Sequence, residues 1–311
     1  METAKPIVDP IVEKWKSNYI QNQKIGLFSN PKSKAIKFLL NNDFYHNVPF
    51  VLIVAGPSLD KNIAQLKGKE DYCVIVCADV VLFKLVENGI TPDFVVTIDP
   101  SDSISRFWED LDTSKYSYVC PTTVSSVALE KWKGNFFFYN QTDVPGSDKQ
   151  KILAEITKAT YGFGQIYNKF FVGATMLQFA QLFTPSSIIL MGYDFGFTDG
   201  KAYCNGLLDR KLYDLNNVGM NVLKAREIAH ELVLRVDDSF VKTRNLLNMY
   251  KNILVQLCDT LVRAPVINST EGGLLTEILR MPLQDSLQEY CSRLIKKHDV
   301  GTVLKRPRKR R

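Results

Sequence analysis

The chain has 311 residues, 45% hydrophobic and 23% charged, with a mean hydropathy of −0.09; these are ordinary globular values and exclude wholesale disorder, collagen and coiled coil. The formal net charge of +6 is concentrated at one end, because residues 296–311 hold eight Lys and Arg against Asp299 alone, a net +7, which leaves −1 over residues 1–295. No apolar run approaches the roughly 18 residues of a membrane span, the first residues lack the apolar core of a secretory signal, and six scattered Cys with only three His lack zinc-site spacing, so a reduced, cytoplasmic protein is expected.

Along the chain, Pro6 and Pro10 precede an expected short helix over residues 11–20, and a second helix fits residues 32–40. Residues 48–55 form a continuous apolar run ending in Gly56-Pro57-Ser58, the pattern of a strand buried on both faces. A short helix fits residues 63–66, a strand 72–77, and a helix 80–88 stopped by Gly89 and Pro92. Further strands are predicted over residues 94–98, 116–120, 135–139 and 187–191. Residues 221–234 and 243–261 carry helical periodicity, so the C-terminal part is expected to be mostly helical. Strands alternating with helices predict an α/β fold, a Rossmann-like, mostly parallel sheet flanked by helices, with a helical C-terminal part and a basic tail. The expected organisation is a helical preface over residues 1–47, an α/β domain over 48–275, a C-terminal helix over 276–298 and a disordered tail over 299–311.

Four polar clusters directly follow predicted strands: Gly56-Pro57-Ser58-Leu59, Ala78-Asp79, Asp99-Pro100-Ser101-Asp102 and Gly192-Tyr193-Asp194. In an open parallel sheet the ligand crevice lies beyond the carboxyl ends of the strands. The Gly-Pro-Ser turn lets backbone approach a phosphate, or is a tight turn whose Ser58 caps the next helix. Asp79, Asp99 and Asp102 suit Mg²⁺ or sugar hydroxyls, with helix capping as the alternative for Asp99 and Asp102. Asp194, wrapped in apolar residues, is either an acid of shifted pKa or a pin for its own loop. Thr270-Glu271-Gly272-Gly273 is a tight turn that suits either a ligand or nothing but a change of direction. His46 and His230 stand in no triad or metal pattern and read as structural. No P-loop, H-E-x-x-H, G-x-S-x-G or G-x-G-x-x-G sequence occurs, which argues against the corresponding chemistries.

The ordered set formed by residues 53–62, Cys77-Ala78-Asp79, residues 89–99, residues 188–201 and Asn268-Ser269-Thr270-Glu271-Gly272-Gly273 resembles the motility-associated-factor glycosyltransferases, a family grouped with MptE-like 6-hydroxymethylpterin diphosphokinases and related to bacterial sialyltransferases. The resemblance spans about residues 25–275. It implies that Gly56, Pro57, Ser58 and Leu59 face a nucleotide, that Thr270, Glu271, Gly272 and Gly273 close the site, and that Asp79 falls where relatives carry a polar donor-binding residue. Residues 172–176 resemble a V-G-N-T-A segment, with Ala174 in place of the amide, which adds Gly173 and Thr175 to the nucleotide-binding set. A second departure is Gly192-Tyr193-Asp194-Phe195-Gly196, where flagellar relatives often have G-Q-D-L-A.

Two activities follow as expectations. One is a glycosyltransferase that moves a sugar from a nucleotide-sugar donor to a hydroxyl on a polymer, with Asp79, Asp99 and Asp194 as catalytic candidates. The basic tail (Lys305, Arg306, Arg308, Lys309, Arg310 and Arg311) makes hydroxymethylated, phage-type DNA an acceptor to consider, with protein as the alternative. The other is a diphosphokinase passing pyrophosphate from ATP to a small hydroxymethyl compound, in which Asp99 and Asp102 would hold Mg²⁺. No cofactor is fixed by the sequence, and Mg²⁺ is the one candidate.

Overall fold

The computed structural model describes residues 10–40, 43–142, 147–167, 171–207, 231–236 and 239–295. His230 and the basic tail residues Lys305–Arg311 lie outside these residues.

The strands in chain order are Ser33–Ala35 (β1), Pro49–Ile53 (β2), Val74–Ala78 (β3), Phe94–Val96 (β4), Ser117–Pro121 (β5), Asn135–Thr142 (β6), Gln165–Tyr167 (β7), Ser187–Met191 (β8), Glu231–Val236 (β9), Ser239–Arg244 (β10), Val266–Asn268 (β11) and Leu279–Arg280 (β12). Ten of them form one sheet in the order β1-β6-β5-β4-β3-β2-β8-β11-β12, with β7 paired to β6. Every ladder in it is parallel. The expected mostly parallel α/β architecture is what the chain adopts. β2, β3, β5 and β8 are buried at every position, which is why they read as unbroken apolar runs rather than alternating ones.

The chain winds outward from β2 through β3, β4 and β5 to β6, then returns through the helix Val172–Gln181 to lay β8 on the other side of β2. That helix buries eight consecutive residues, Gly173 to Ala180, because it packs across β2 and β3. One hydrophobic core runs from Leu27 to Cys291, so the segments before residue 48 and after residue 275 share the core of the α/β body.

Two sequence expectations are corrected. Residues 32–40 are not one helix. β1 pairs with Phe136–Phe138 of β6, and only Lys37–Leu40 is helical; completing the ladder of an otherwise open edge outweighs local helical periodicity. The expected helix over residues 221–234 ends differently, since Glu231–Val236 pairs antiparallel with Ser239–Arg244; residues 221–230 lie outside the described set. The expected helices of the C-terminal part are present as Asn245–Leu261 and Leu283–Tyr290, and β11 and β12 add to the parallel sheet beyond β8.

The helix Pro10–Lys24 buries Val12, Trp15, Asn18, Tyr19 and Asn22 on one face. Asn18 Nδ2 donates to the carbonyls of Pro100 (2.8 Å) and Thr123 (2.9 Å), and Asn22 Nδ2 to those of Thr122 (3.1 Å) and Val124 (2.9 Å). Two amides four residues apart thus satisfy four carbonyls in the loops that follow β4 and β5. Replacing Asn22 by Ala leaves two carbonyls without their partner at a fully buried position. The expected loss is about 1–3 kcal/mol in denaturant unfolding, well above that of an exposed Asn on the same helix.

Candidate functional site

The strand order reverses between β2 and β8, so the loops leaving these strands diverge and open a crevice. Gly56-Pro57-Ser58 leaves β2 and Gly192-Tyr193-Asp194 leaves β8. The two turns are joined directly, Gly56 N donating to Gly192 O at 3.0 Å.

Asp194, 2% exposed, holds the crossing together. Its Oδ2 accepts from Ser58 Oγ at 2.7 Å, and its Oδ1 from Ser58 N at 3.2 Å and Thr198 Oγ1 at 2.5 Å. Its own carbonyl accepts from Leu274 N at 2.7 Å. Burial raises the Asp194 pKa from its ordinary value, opposed by the hydrogen bonds from Thr198 and Ser58. The surroundings leave no space for side chains. A Cβ on Gly56 would overlap Asp194 Oδ2 and the Gly192 carbonyl, and Gly273, at φ +71°, would overlap the Asp194 backbone. Ser58 therefore does not cap the following helix. Its hydroxyl is given to Asp194, and Leu59–Asn62 is a single turn with no side-chain cap.

The Thr270–Gly273 turn packs onto the same crossing. Thr270 Oγ1 accepts from Tyr193 N at 3.1 Å, and Gly272 packs against Ser58 and Thr198. Glu271 stands at φ +57°, and its Oε1 accepts from Asn62 Nδ2 at 2.9 Å and Leu283 N at 3.0 Å. Asn62 also reaches the Ser269 carbonyl at 2.9 Å.

Above this knot lies a pocket of about 310 Å³. Gly56, Pro57, Gly173 and Asp194 line it, with Ala78 and Val80 on one side. Its remaining wall is apolar and aromatic, including Phe171, Tyr193, Tyr203 and Tyr250. Phe171 and Tyr250 stack with centroids 4.8 Å apart. Of the expected nucleotide-binding residues, Gly56, Pro57 and Gly173 are in the wall. Ser58, Leu59, Thr270, Gly272 and Gly273 stand behind it as support. Thr175 is fully buried with its hydroxyl unpartnered. The aromatic residues escaped sequence reasoning because no spacing marks them; each arrives from a different element.

Asp79 follows β3 and is 4% exposed. Its Oδ1 accepts from Val80 N at 2.7 Å, while Oδ2 has no hydrogen-bond partner. Burial pushes its pKa up to about 7, opposed by the neighbouring Thr97 hydroxyl and reinforced by the charge of Asp99. Asp99 is exposed and turns back onto Ser101 N at 2.8 Å. Asp102 is elsewhere engaged: its Oδ1 accepts from Ser125 Oγ at 2.5 Å and from Lys14 Nζ at 2.9 Å, and these partners lower its pKa, Ser125 foremost. The structure thus brings Asp79 and Asp99 together, ties Asp102 to the first helix, and places Asp194 in the β2–β8 crossing. Among the described residues no group of three or more His, Cys, Asp or Glu could hold a metal ion, and no helix is long and apolar enough to cross a membrane.

The raised Asp79 pKa has a stability consequence. Between the unfolded value of 3.8 and the folded value of about 7 the folded state binds more protons than the unfolded one, so stability falls as pH rises through this window and levels off above it. Asp79→Asn removes that penalty. It is expected to melt close to wild type near pH 4 and above it at pH 8, by an amount on the order of 4 kcal/mol if the full shift is relieved. Thermal unfolding at both pH values checks this.

Residues 18–200 match the family described as 6-hydroxymethylpterin diphosphokinase MptE-like. Among solved structures, a MAf glycosyltransferase from Magnetospirillum magneticum AMB-1 shares the fold, with a TM-score of 0.55 and 15% sequence identity over 95% of this chain and 45% of that one. The chain therefore spans less than half the length of that neighbour. No curated protein matches it in sequence. With more than half of its residues matched in one continuous stretch, the chain belongs to the 6-hydroxymethylpterin diphosphokinase MptE-like family.

Proposed function

We propose that the chain is a glycosyltransferase that binds a nucleotide-sugar donor in the β2–β8 crevice and passes the sugar to a hydroxyl acceptor. The observation that carries this reading is the pocket itself: about 310 Å³ of largely apolar and aromatic wall, bordered by the side-chain-free edge at Gly56. Such walls suit the flat face of a base, and the absence of a side chain at Gly56 lets a ligand approach the backbone closely. The shared fold with a MAf glycosyltransferase supports the same reading. In it, Asp79 is the base that takes the acceptor proton, since a carboxylate titrating near 7 is matched to that task. Asp194, with both oxygens committed, is a positioning residue for the Gly56-Pro57 edge.

The acceptor we propose is a polyanion, and hydroxymethylated DNA is the form the +7 charge of residues 296–311 favours. Each basic residue near a phosphate releases a condensed counterion, so affinity would fall steeply with salt.

A second reading rests on one specific observation, the unpartnered Oδ2 of Asp79 beside the charge of Asp99. A Mg²⁺ ion shared by these two carboxylates would relieve their repulsion, and Mg²⁺ with ATP is the requirement of a diphosphokinase. Asp102 does not fit that ligand set, being held by Lys14 and Ser125.

Thermal shift against CMP, UDP, GDP, ADP and ATP, each with and without Mg²⁺, separates the readings. Stabilisation by CMP, UDP or GDP that is lost in Gly56→Ala, with donor turnover abolished in Asp79→Asn, is the expected result. Stabilisation by ATP with Mg²⁺ alone would replace it with the diphosphokinase. For the acceptor, DNA binding is expected to weaken steeply between 50 and 200 mM salt (about 10³-fold or more for six or more phosphate contacts) and to vanish when residues 305–311 are removed. Binding that ignores salt would rule out the polyanion.

A further inference from the structure

Part of the pocket wall comes from the loop after β8. Ala202, Tyr203 and Leu207 of this loop line the pocket, although its one regular element is the 3-10 turn Thr198–Gly200. Two charged side chains from elsewhere hold it. Lys84, in the helix Leu82–Glu87, and Asp60, in the single turn after Ser58, pair at 2.7 Å, with side chains 14% and 16% exposed. The pair closes around the backbone of one loop residue. Asn205 N donates to Asp60 Oδ1 at 3.1 Å and Oδ2 at 2.9 Å, and Lys84 Nζ donates to Asn205 O at 3.3 Å. Beside it, Cys204 N donates to Ala55 O at 3.0 Å, and Gly206 packs against the ring of Phe83. The other charged contacts of the loop are exposed: Lys61 with Asp199, and Lys201 with the Asn205 side chain.

We propose that Asp60 and Lys84 are positioning residues for the donor pocket, their ion pair fixing Asn205 and so holding Tyr203 and Leu207 as the wall against which the nucleotide binds. The inference rests on the nucleotide-sugar reading of the crevice. Tyr203 and Leu207 stand two residues to either side of Asn205, so a fixed Asn205 backbone sets where both enter the wall. The bonds to Asn205 are charge-assisted and mostly sheltered from water, which makes them stronger and less screened by salt than the exposed contacts. A loop with so little structure of its own would otherwise be ordered by the ligand, at a cost to affinity. Without the Lys84 ammonium, Asp60 loses its counter-charge and the Asn205 carbonyl its donor. Apparent affinity then falls by the fraction of molecules in which the wall is in place.

The test is calorimetric titration of the full-length protein with CMP, UDP and GDP, at a temperature where every variant is folded. A nucleotide that binds wild type is expected to bind Lys84→Met and Asp60→Asn about tenfold more weakly, as when the wall is in place in one molecule of ten. The double variant is expected to bind no worse than the weaker single, because both changes break one interaction. Lys84→Arg recovers most of the affinity, and Lys201→Ala binds as wild type. Cys204, 2% exposed in the folded protein, reports on the loop itself: N-ethylmaleimide labels it faster in Lys84→Met, and saturating nucleotide slows the labelling again. Should Lys84→Met fail to fold, Asp60→Asn, which keeps an acceptor for Asn205 N, carries the same comparison. Wild type that binds while both single variants bind within about twofold of it overturns this inference alone. Wild type that binds none of the three nucleotides overturns the donor reading and this inference with it.

Discussion

A buried carboxylate organises this protein. Asp194 sits where β2 and β8 part, and removing a charge of that kind from water is costly unless its lone pairs are met. Ser58 meets it twice and Thr198 once, and the turn after β11 closes over its backbone. The loops after β2, β8 and β11 all converge on this one residue, on its side chain or its backbone, which leaves room only for glycine at Gly56 and Gly273. The result is a stiff floor for the pocket. Loops at the carboxyl edge of a parallel sheet are commonly mobile; here the two that matter are bolted to each other.

A second buried acid obeys the opposite logic. Asp79 has one oxygen satisfied by its own helical turn and the other unmet. Two acids of nearly equal burial thus divide into one whose oxygens are both met and one with an oxygen left over, and the division follows from the count of donors each one finds. An unmet oxygen is a standing demand for a proton, a cation or a substrate hydroxyl.

Much of the fold was legible because the central strands have no polar face. β2, β3 and β8 show in the sequence as apolar runs, each closed by a polar cluster at the carboxyl edge. The edge strands were not legible. β1, β7 and β12 have three, three and two residues, too few to impose a period, and they exist because a neighbouring ladder was open. The site was half legible. The turns after β2 and β8 stood out as Gly- and Asp-bearing punctuation, but Ser58 facing Asp194 across 136 residues leaves no local trace. Nor do the aromatic walls, or Asn18 and Asn22, whose partners lie 82 to 105 residues away.

The first helix has a consequence for how the chain comes to be folded. Residues 10–24 precede the strands of this sheet along the chain, yet the four carbonyls they satisfy do not exist in position until the loops beyond β4 and β5 are shaped. Contacts across such separations are slow to close because the intervening chain must be ordered first. Contact order therefore predicts that this helix docks late, against the loops after β4 and β5. What comes first along the chain would then act as a closing seam of the sheet.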